Sequence, residues 1–189
     1  MLAGSDERCP WAGSSAAMTE YHDTEWGVPS FDDRHLFEML TLEGAQSGLS
    51  WATILNRRDG YRRAFKDFDP GLVAAFEDRR LERLREDTGI IRNRLKIYAA
   101  RTNAQAVLRV QAELGSFSTY LWNWVDGTRI VNHPRSVRDL QPTTELSGRI
   151  SKDLKRRGFT FVGPTIVYSL LEAVGIVDDH LTSCPFKRG

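Results

Sequence analysis

Leu154-Lys155-Arg156-Arg157-Gly158-Phe159-Thr160-Phe161-Val162-Gly163-Pro164-Thr165 joins two stretches with helical patterning, Leu146 to Arg157 and Pro164 to Val174. The two glycines stand five positions apart. Pro164 sits where a missing N–H and a fixed φ suit the first helical position. The connection is a tight turn between packed helices. Backbone N–H groups in such a turn, with the N-terminus of the next helix, point outward and suit a phosphate oxygen. Lys155, Arg156 and Arg157 add positive potential beside it. The same residues also fit an ordinary αα-hairpin, and the motif by itself leaves both readings open.

Outward from this hairpin the signals stay helical. Gly175 stops the second helix. Toward the N-terminus, Asp126 to Thr143 carries Gly127, Pro134 and Pro142 and reads as the one long irregular segment. Thr128–Val131 within it reads as a scrap of strand. Ser116 caps a helix through Tyr120 to Val125. From Ile91, residues Leu95, Tyr98, Ala99, Thr102, Ala106 and Val110 repeat at helical spacing until Gly115. Leu81 and Leu84 give a short helix ending before Gly89, and Asp69-Pro70 opens another over Leu72 to Phe76. Ser30 to Asp33 caps a helix bearing Leu36, Phe37 and Leu40. Gly44 to Arg58 reads as a further helix despite Gly48. No run alternates with period two between turns. The expected class is all-α, a compact domain of eight or nine short helices.

A length of 189 residues suits one domain, expected to span 1–189, and it can bury a core without disulfide staples. Hydrophobic residues make up 41% and charged residues 27% of the chain. This excludes collagen-like, low-complexity and disulfide-dense classes. The five tryptophans suggest a binding surface or pocket. The N-terminal residues show no basic segment followed by an apolar one, so no secretory signal is read there. The longest apolar stretch, Phe159 to Val177, is broken by Gly163, Pro164, Glu172 and Gly175, which argues against a membrane span. A cytoplasmic, monomeric protein is expected.

The net charge is only +1, but its distribution is uneven. Residues 1–45 hold two basic residues against nine acids. Residues 57–109 hold fourteen against eight, and residues 149–158 five against one. A chain divided this way can present a basic face to a polyanion; solvated helix faces would give the same count.

The two cysteines each lie near a histidine. Cys9 precedes His22 by thirteen positions, and His180 precedes Cys184 by four. Two thiolates and two imidazoles form a common closed zinc set. Four protein ligands leave no open position, so the expected zinc is structural and ties the two ends of the chain together. Tyr21-His22-Asp23-Thr24-Glu25-Trp26-Gly27-Val28-Pro29 and Leu42-Glu43-Gly44-Ala45-Gln46-Ser47-Gly48-Leu49-Ser50-Trp51 are dense in aromatic and polar groups. Tyr, Glu and Trp together suit a pocket for a flat, cationic ring.

These stretches carry a resemblance. ERCPW at 7–11, YHDTEWGVP at 21–29, LFEML at 36–40, LEGAQSGLSW at 42–51, GIIRNRLKI at 89–97 and KRRGFTFVGPTIVYSLLEAVGIVDDHLTSC at 155–184 resemble the DNA-3-methyladenine glycosylase I family, in family order through nearly the whole chain. The hairpin correspondingly resembles the helix-hairpin-helix of a larger DNA glycosylase superfamily. The resemblance implies an all-α fold and a base-excision-repair glycosylase that flips 3-methyladenine out of alkylated double-stranded DNA and releases it hydrolytically. It implies one structural zinc on Cys9, His22, His180 and Cys184. It places Glu43 as the catalytic carboxylate, with Tyr21 and Trp51 against the base and Trp11, Trp26 and Gln46 around them. It places Leu49 as the wedge where the base leaves the stack, with Gly158, Gly163 and Lys155 toward the backbone. Many members have an aromatic residue where this chain has Met18, and Ala45 stands where Gln is frequent.

Excision fits the chemistry of the lesion. N3-methylated adenine is cationic while attached to sugar and leaves as a neutral base, so selection and positioning matter more than strong protonation of the leaving group. No lysine occupies an evident nucleophile position, so a monofunctional enzyme is expected. The alternatives are a non-catalytic zinc-containing DNA-binding module and a zinc hydrolase unrelated to DNA. The four-ligand count argues against the hydrolase.

Overall fold

The computed structural model describes residues 8–188. Among them are ten α-helices: α1 (Ala16–Thr24), α2 (Asp33–Gln46), α3 (Trp51–Leu55), α4 (Arg58–Ala64), α5 (Pro70–Ala74), α6 (Asp78–Leu84), α7 (Arg94–Leu114), α8 (Phe117–Trp122), α9 (Glu145–Arg156) and α10 (Pro164–Ala173). A parallel pair, β1 (Ile130–Val131) with β2 (Val177–Asp178), is the sheet among these residues, in register Ile130 with Val177. No helix is long and apolar enough to cross a membrane among the described residues.

The helix starts follow local chemistry. Asp32, Ser50, Asp69, Asn93, Ser116 and Thr144 each accept a backbone N–H in the first turn of the helix that follows. Such a side chain satisfies one of the donors a helix start leaves unpaired. α2 is central and buried from Leu36 to Ala45. It packs against α7, α8 and α10.

Three expectations need correction. Gly44 to Arg58 is not one helix: α2 ends at Gln46, Gly48 takes φ +80°, and α3 and α4 follow as separate short helices. That positive φ breaks the helix and makes the exposed turn Ser47–Ser50. The helix count is higher than expected, partly because α1 and α3 were not resolved by the pattern. Leu95 lies on the helical stripe by spacing yet is 65% exposed, since α7 has only just begun there.

Contacts around the hairpin set the geometry of everything that follows. Gly158 takes φ +90° after α9. The Asn103 side chain on α7 holds Thr160 at both its N–H (2.8 Å) and its carbonyl (3.0 Å). Ser151 donates to the Val162 carbonyl at 2.6 Å. A side chain at Gly44 would meet Phe161 Cβ at 3.3 Å, so glycine lets α2 lie against the turn. At the far end of α10, a Cβ on Gly175 would come within 2.3 Å of the Val28 backbone. Glycine there lets the segment after α1 cross the end of α10.

Candidate active site

α1, α2, α3 and α10 enclose a cavity of about 330 Å³. Its walls are Trp11, Met18, Tyr21, Trp26, Glu43, Gln46, Trp51, Leu140, Ser169 and Glu172. Trp11 packs edge-on to Trp26 at 5.0 Å, and Tyr21 lies 5.3 Å from Trp51 with the planes tilted by 51°. Among the described residues Trp51 Nε1 is buried without a partner. All six residues that the resemblance placed at the base therefore converge: Glu43, Tyr21, Trp51, Trp11, Trp26 and Gln46.

Glu43 is 5% exposed and has no hydrogen-bond or ion-pair partner among the described residues. Other buried acids are held differently. Glu38 is paired with Arg58 and Arg62, and Glu25 with Arg58 and His35. Burial opposes ionisation, but these partners keep both carboxyls below the usual carboxylate range. Glu43 has only the burial, which pushes it up to about 8. At neutral pH it is mainly the neutral acid, where a carboxylate was expected. Burial likewise raises Tyr21, with the charges of Glu43 and Glu25 adding to it.

A second cavity of about 420 Å³ shares Glu43, Gln46 and Ser169 with the first. Its remaining lining is Ser47, Gly48, Leu49, Gly163, Pro164, Thr165 and Ile166. The exposed turn after α2 and the end of the hairpin thus flank one cleft that leads to Glu43. Leu49 is 40% exposed in that turn. Gly163 lines the cleft; Gly158 lies at the other end of the hairpin. Of the basic cluster, Lys155 is exposed. Arg157 bridges Glu113 and Asp153, and Arg156 also reaches Asp153, so much of that charge is internally compensated.

At the chain ends, ligand atoms of Cys9, His22 and Cys184 lie within 4.8 Å of one another, all buried. His180 is not within that mutual distance, but its ring centroid is 4.9 Å from that of His22. Nδ1 of His22 meets Asp23 and Nδ1 of His180 meets Asp178, both at 2.8 Å. His22 Nε2 lies 3.6 Å from Cys184 Sγ, and among the described residues His180 Nε2 is buried with no partner. Burial pushes the Cys9 thiol up to about 12, with the neighbouring Cys184 contributing to the rise. A thiol as reluctant to ionise as Cys9 needs a nearby cation to become a ligand. Gly27 is required here: a Cβ on it would meet His180 Cε1 at 2.8 Å.

Sequence reasoning missed Leu140, Ser169 and Glu172 as cavity residues. Ser169 and Glu172 stand three apart on α10, one helical turn, which could have marked a shared face. Leu140 comes from the irregular segment and had no such signal.

An all-helical fold with an aromatic cavity around an unpaired acid, opening beside a glycine-bounded hairpin, describes a protein that binds a flat polar ring. The methyladenine glycosylase family model matches residues 11–188, and the chain belongs to that family. It is 43% identical to a DNA-3-methyladenine glycosylase of Haemophilus influenzae, covering 95% of this chain and 97% of the relative. It is 44% identical to DNA-3-methyladenine glycosylase 1 of Escherichia coli over 94% of this chain and 95% of the relative. A crystal structure of a 3-methyladenine DNA glycosylase I is 45% identical with a TM-score of 0.93, covering 96% of this chain and all of the other. A second, in complex with 3-methyladenine, is 37% identical with a TM-score of 0.93, covering 96% and 97%.

Proposed function

We propose that this chain is a monofunctional base-excision glycosylase that extrudes 3-methyladenine from alkylated duplex DNA and releases it by hydrolysis. The observation that carries the reading is Glu43: a buried acid without a partner among the described residues, walled by Tyr21 and Trp51, at the inner end of an open cleft. A residue left in that state has a strong preference for a ligand that brings positive charge.

The chain acts as a single domain. Backbone N–H groups around Gly163 and the N-terminus of α10 hold a phosphate, in the manner of a helix-hairpin-helix, with Lys155 adding charge and Gly158 permitting the turn. Leu49 fills the space left in the stack. The extruded base enters between Trp51, Tyr21, Trp11 and Trp26, with Gln46 at the mouth. Its positive charge lets Glu43 ionise, and the carboxylate then accepts from the amino edge. Unmodified adenine carries no such charge and leaves the ionisation cost of Glu43 unmet. As the glycosidic bond breaks, its electron pair passes to the base, which departs neutral. A water oxygen bonds to the sugar carbon and loses a proton to solvent. No lysine lines either cavity among the described residues, so no covalent amine intermediate forms.

Cys9, His22, Cys184 and His180 hold zinc, which fastens the N-terminal segment to the tail. The orphaned Nε2 of His180 fits it as the fourth ligand. The metal supplies structure, and the reaction is carried by the cavity residues.

The test is single-turnover excision of 3-methyladenine by Glu43→Gln. Excision falls at least about a hundredfold, the cost of losing one charge-assisted contact, while affinity for an abasic duplex stays unchanged. Undiminished excision would overturn the assignment.

A further inference from the structure

The turn Ser47–Ser50 flanks the cleft and carries Leu49. It is exposed throughout, and a Cβ on Gly48 would meet nothing within 4 Å. Among the described residues one side chain from another element bonds to this end of α2. It is Lys96 of α7, whose Nζ donates to the carbonyl of Ala45 at 2.7 Å and to that of Ser47 at 2.6 Å. A helix C-terminus leaves such acceptors unpaired and carries partial negative charge.

Local helix chemistry does not favour a lysine at this position. The backbone N–H of Lys96 donates to the Asn93 side chain at 3.1 Å, so Lys96 lies in the first turn of α7, which holds no acidic residue. A helix dipole disfavours a cation there. The carbonyls ending α2 offset that. Seven residues on, two turns along the same face of α7, Asn103 holds Thr160 of the hairpin at both its N–H and its carbonyl. α2, α7 and the hairpin close on one another here, leaving a gap of only about 10 Å³ between Gly44, Lys96, Asn103 and Phe161. One helix thus grips both turns that flank the cleft, each by its backbone.

We propose that Lys96 is a positioning residue for base extrusion: it fixes the turn that carries Leu49, at a distance from the hairpin that α7 sets. This rests on the reading of Leu49 as the wedge and of the hairpin as the phosphate holder. A duplex held at the hairpin presents the damaged nucleotide at one place only. The wedge meets it there if its turn is held, and a displacement of about 1 Å is enough to slow a positioned reaction severely. The ammonium head suits the task because its three donors can serve two converging carbonyls at once.

The experiment is a double-mutant cycle on the zinc-loaded protein with Lys96→Met and Leu49→Ala, read by single-turnover excision of 3-methyladenine from methylated duplex DNA. Calorimetric binding of free 3-methyladenine, unfolding temperature and the salt dependence of abasic-duplex affinity are measured alongside. Lys96→Met keeps the length and removes the donors. Its excision rate falls at least about tenfold, and so does that of Leu49→Ala. The double variant falls no further than the larger single loss, because Lys96 acts through the turn that Leu49 occupies. Affinity of Lys96→Met for the free base stays within about threefold, since Glu43, Tyr21 and Trp51 are untouched. If Lys96→Met does not fold, Lys96→Gln serves, being too short to reach both carbonyls, with the same expected losses. Undiminished excision by the Lys96 variant, or a double loss equal to the product of the two single losses, would overturn the proposal. A matching loss of free-base affinity would overturn it as well, because the cavity and not the turn would have collapsed. So would a fall of about one unit in the salt slope, which would make Lys96 a phosphate contact. Undiminished excision by Leu49→Ala alone would defeat the wedge reading, and this proposal with it. Absence of excision by the unaltered protein would defeat the proposed function beneath both.

Discussion

Replacing Glu43 by glutamine changes the pH dependence of folding in a way that only a buried, partnerless acid produces. The group ionises near 4.5 when solvated and near 8 in the folded cavity. The folded state therefore holds a proton that the unfolded chain gives up between those values. The stability this group lends is fully present below about 4.5 and is lost as pH rises toward 8. At 1.36 kcal/mol per unit, the penalty is roughly 1 kcal/mol at pH 5, about 3 at pH 7 and about 4 at pH 8. Glutamine cannot ionise and escapes it. A buried amide has its own desolvation cost, on the order of 1–3 kcal/mol, but that cost does not vary with pH. The gap in stability between Glu43→Gln and the unaltered protein thus shifts in favour of the variant by about 3 kcal/mol from pH 5 to pH 8. Urea unfolding of both proteins at four pH values with zinc held constant measures it, because the metal site is common to both and cancels. A gap that stays constant across that range would mean that Glu43 is solvated and ionised in the folded protein. The selection of a cationic base by its burial would then be refuted.

Trp51→Ala removes a stacking face 5.3 Å from Tyr21; binding of 3-methyladenine weakens by about 1–3 kcal/mol, read by calorimetry. Cys184→Ala removes one ligand of the terminal cluster; metal analysis finds less than one zinc per chain, and the unfolding temperature falls because the tail is no longer fastened. Lys155→Ala lowers the slope of log affinity against log salt for duplex DNA by about one unit, the loss of one phosphate contact. An unchanged slope would place Lys155 away from the backbone.

Much of this was legible in the residues, for physical reasons that differ from place to place. The starts of α2, α5 and α8 were readable because a cap is a local event: Asp32, Asp69 and Ser116 need only their own first turn. The strand at β1 was readable only as a fragment, since its partner lies more than forty residues away. The break after Gln46 was misread because helical spacing continues through Gly48, and a single positive φ leaves no trace in a pattern of apolar residues. The terminal Cys and His residues stood out because the chain has only two cysteines. Glu43 was found by its family motif; what was not visible is the pairing of Glu25 and Glu38, because the arginines that neutralise them come from α4. Glu172 was passed over for a related reason. An acid in an apolar helix looks like a solvated residue until tertiary structure places it in the wall of the cavity.

The central claim is excision of 3-methyladenine through the Glu43 cavity, and the most direct measurement is chromatography of the bases freed from methylated duplex DNA by the zinc-loaded protein. The account predicts that 3-methyladenine appears with time in proportion to enzyme, and that no unmodified adenine accompanies it. Absence of released 3-methyladenine, or release of adenine at a comparable rate, would contradict it.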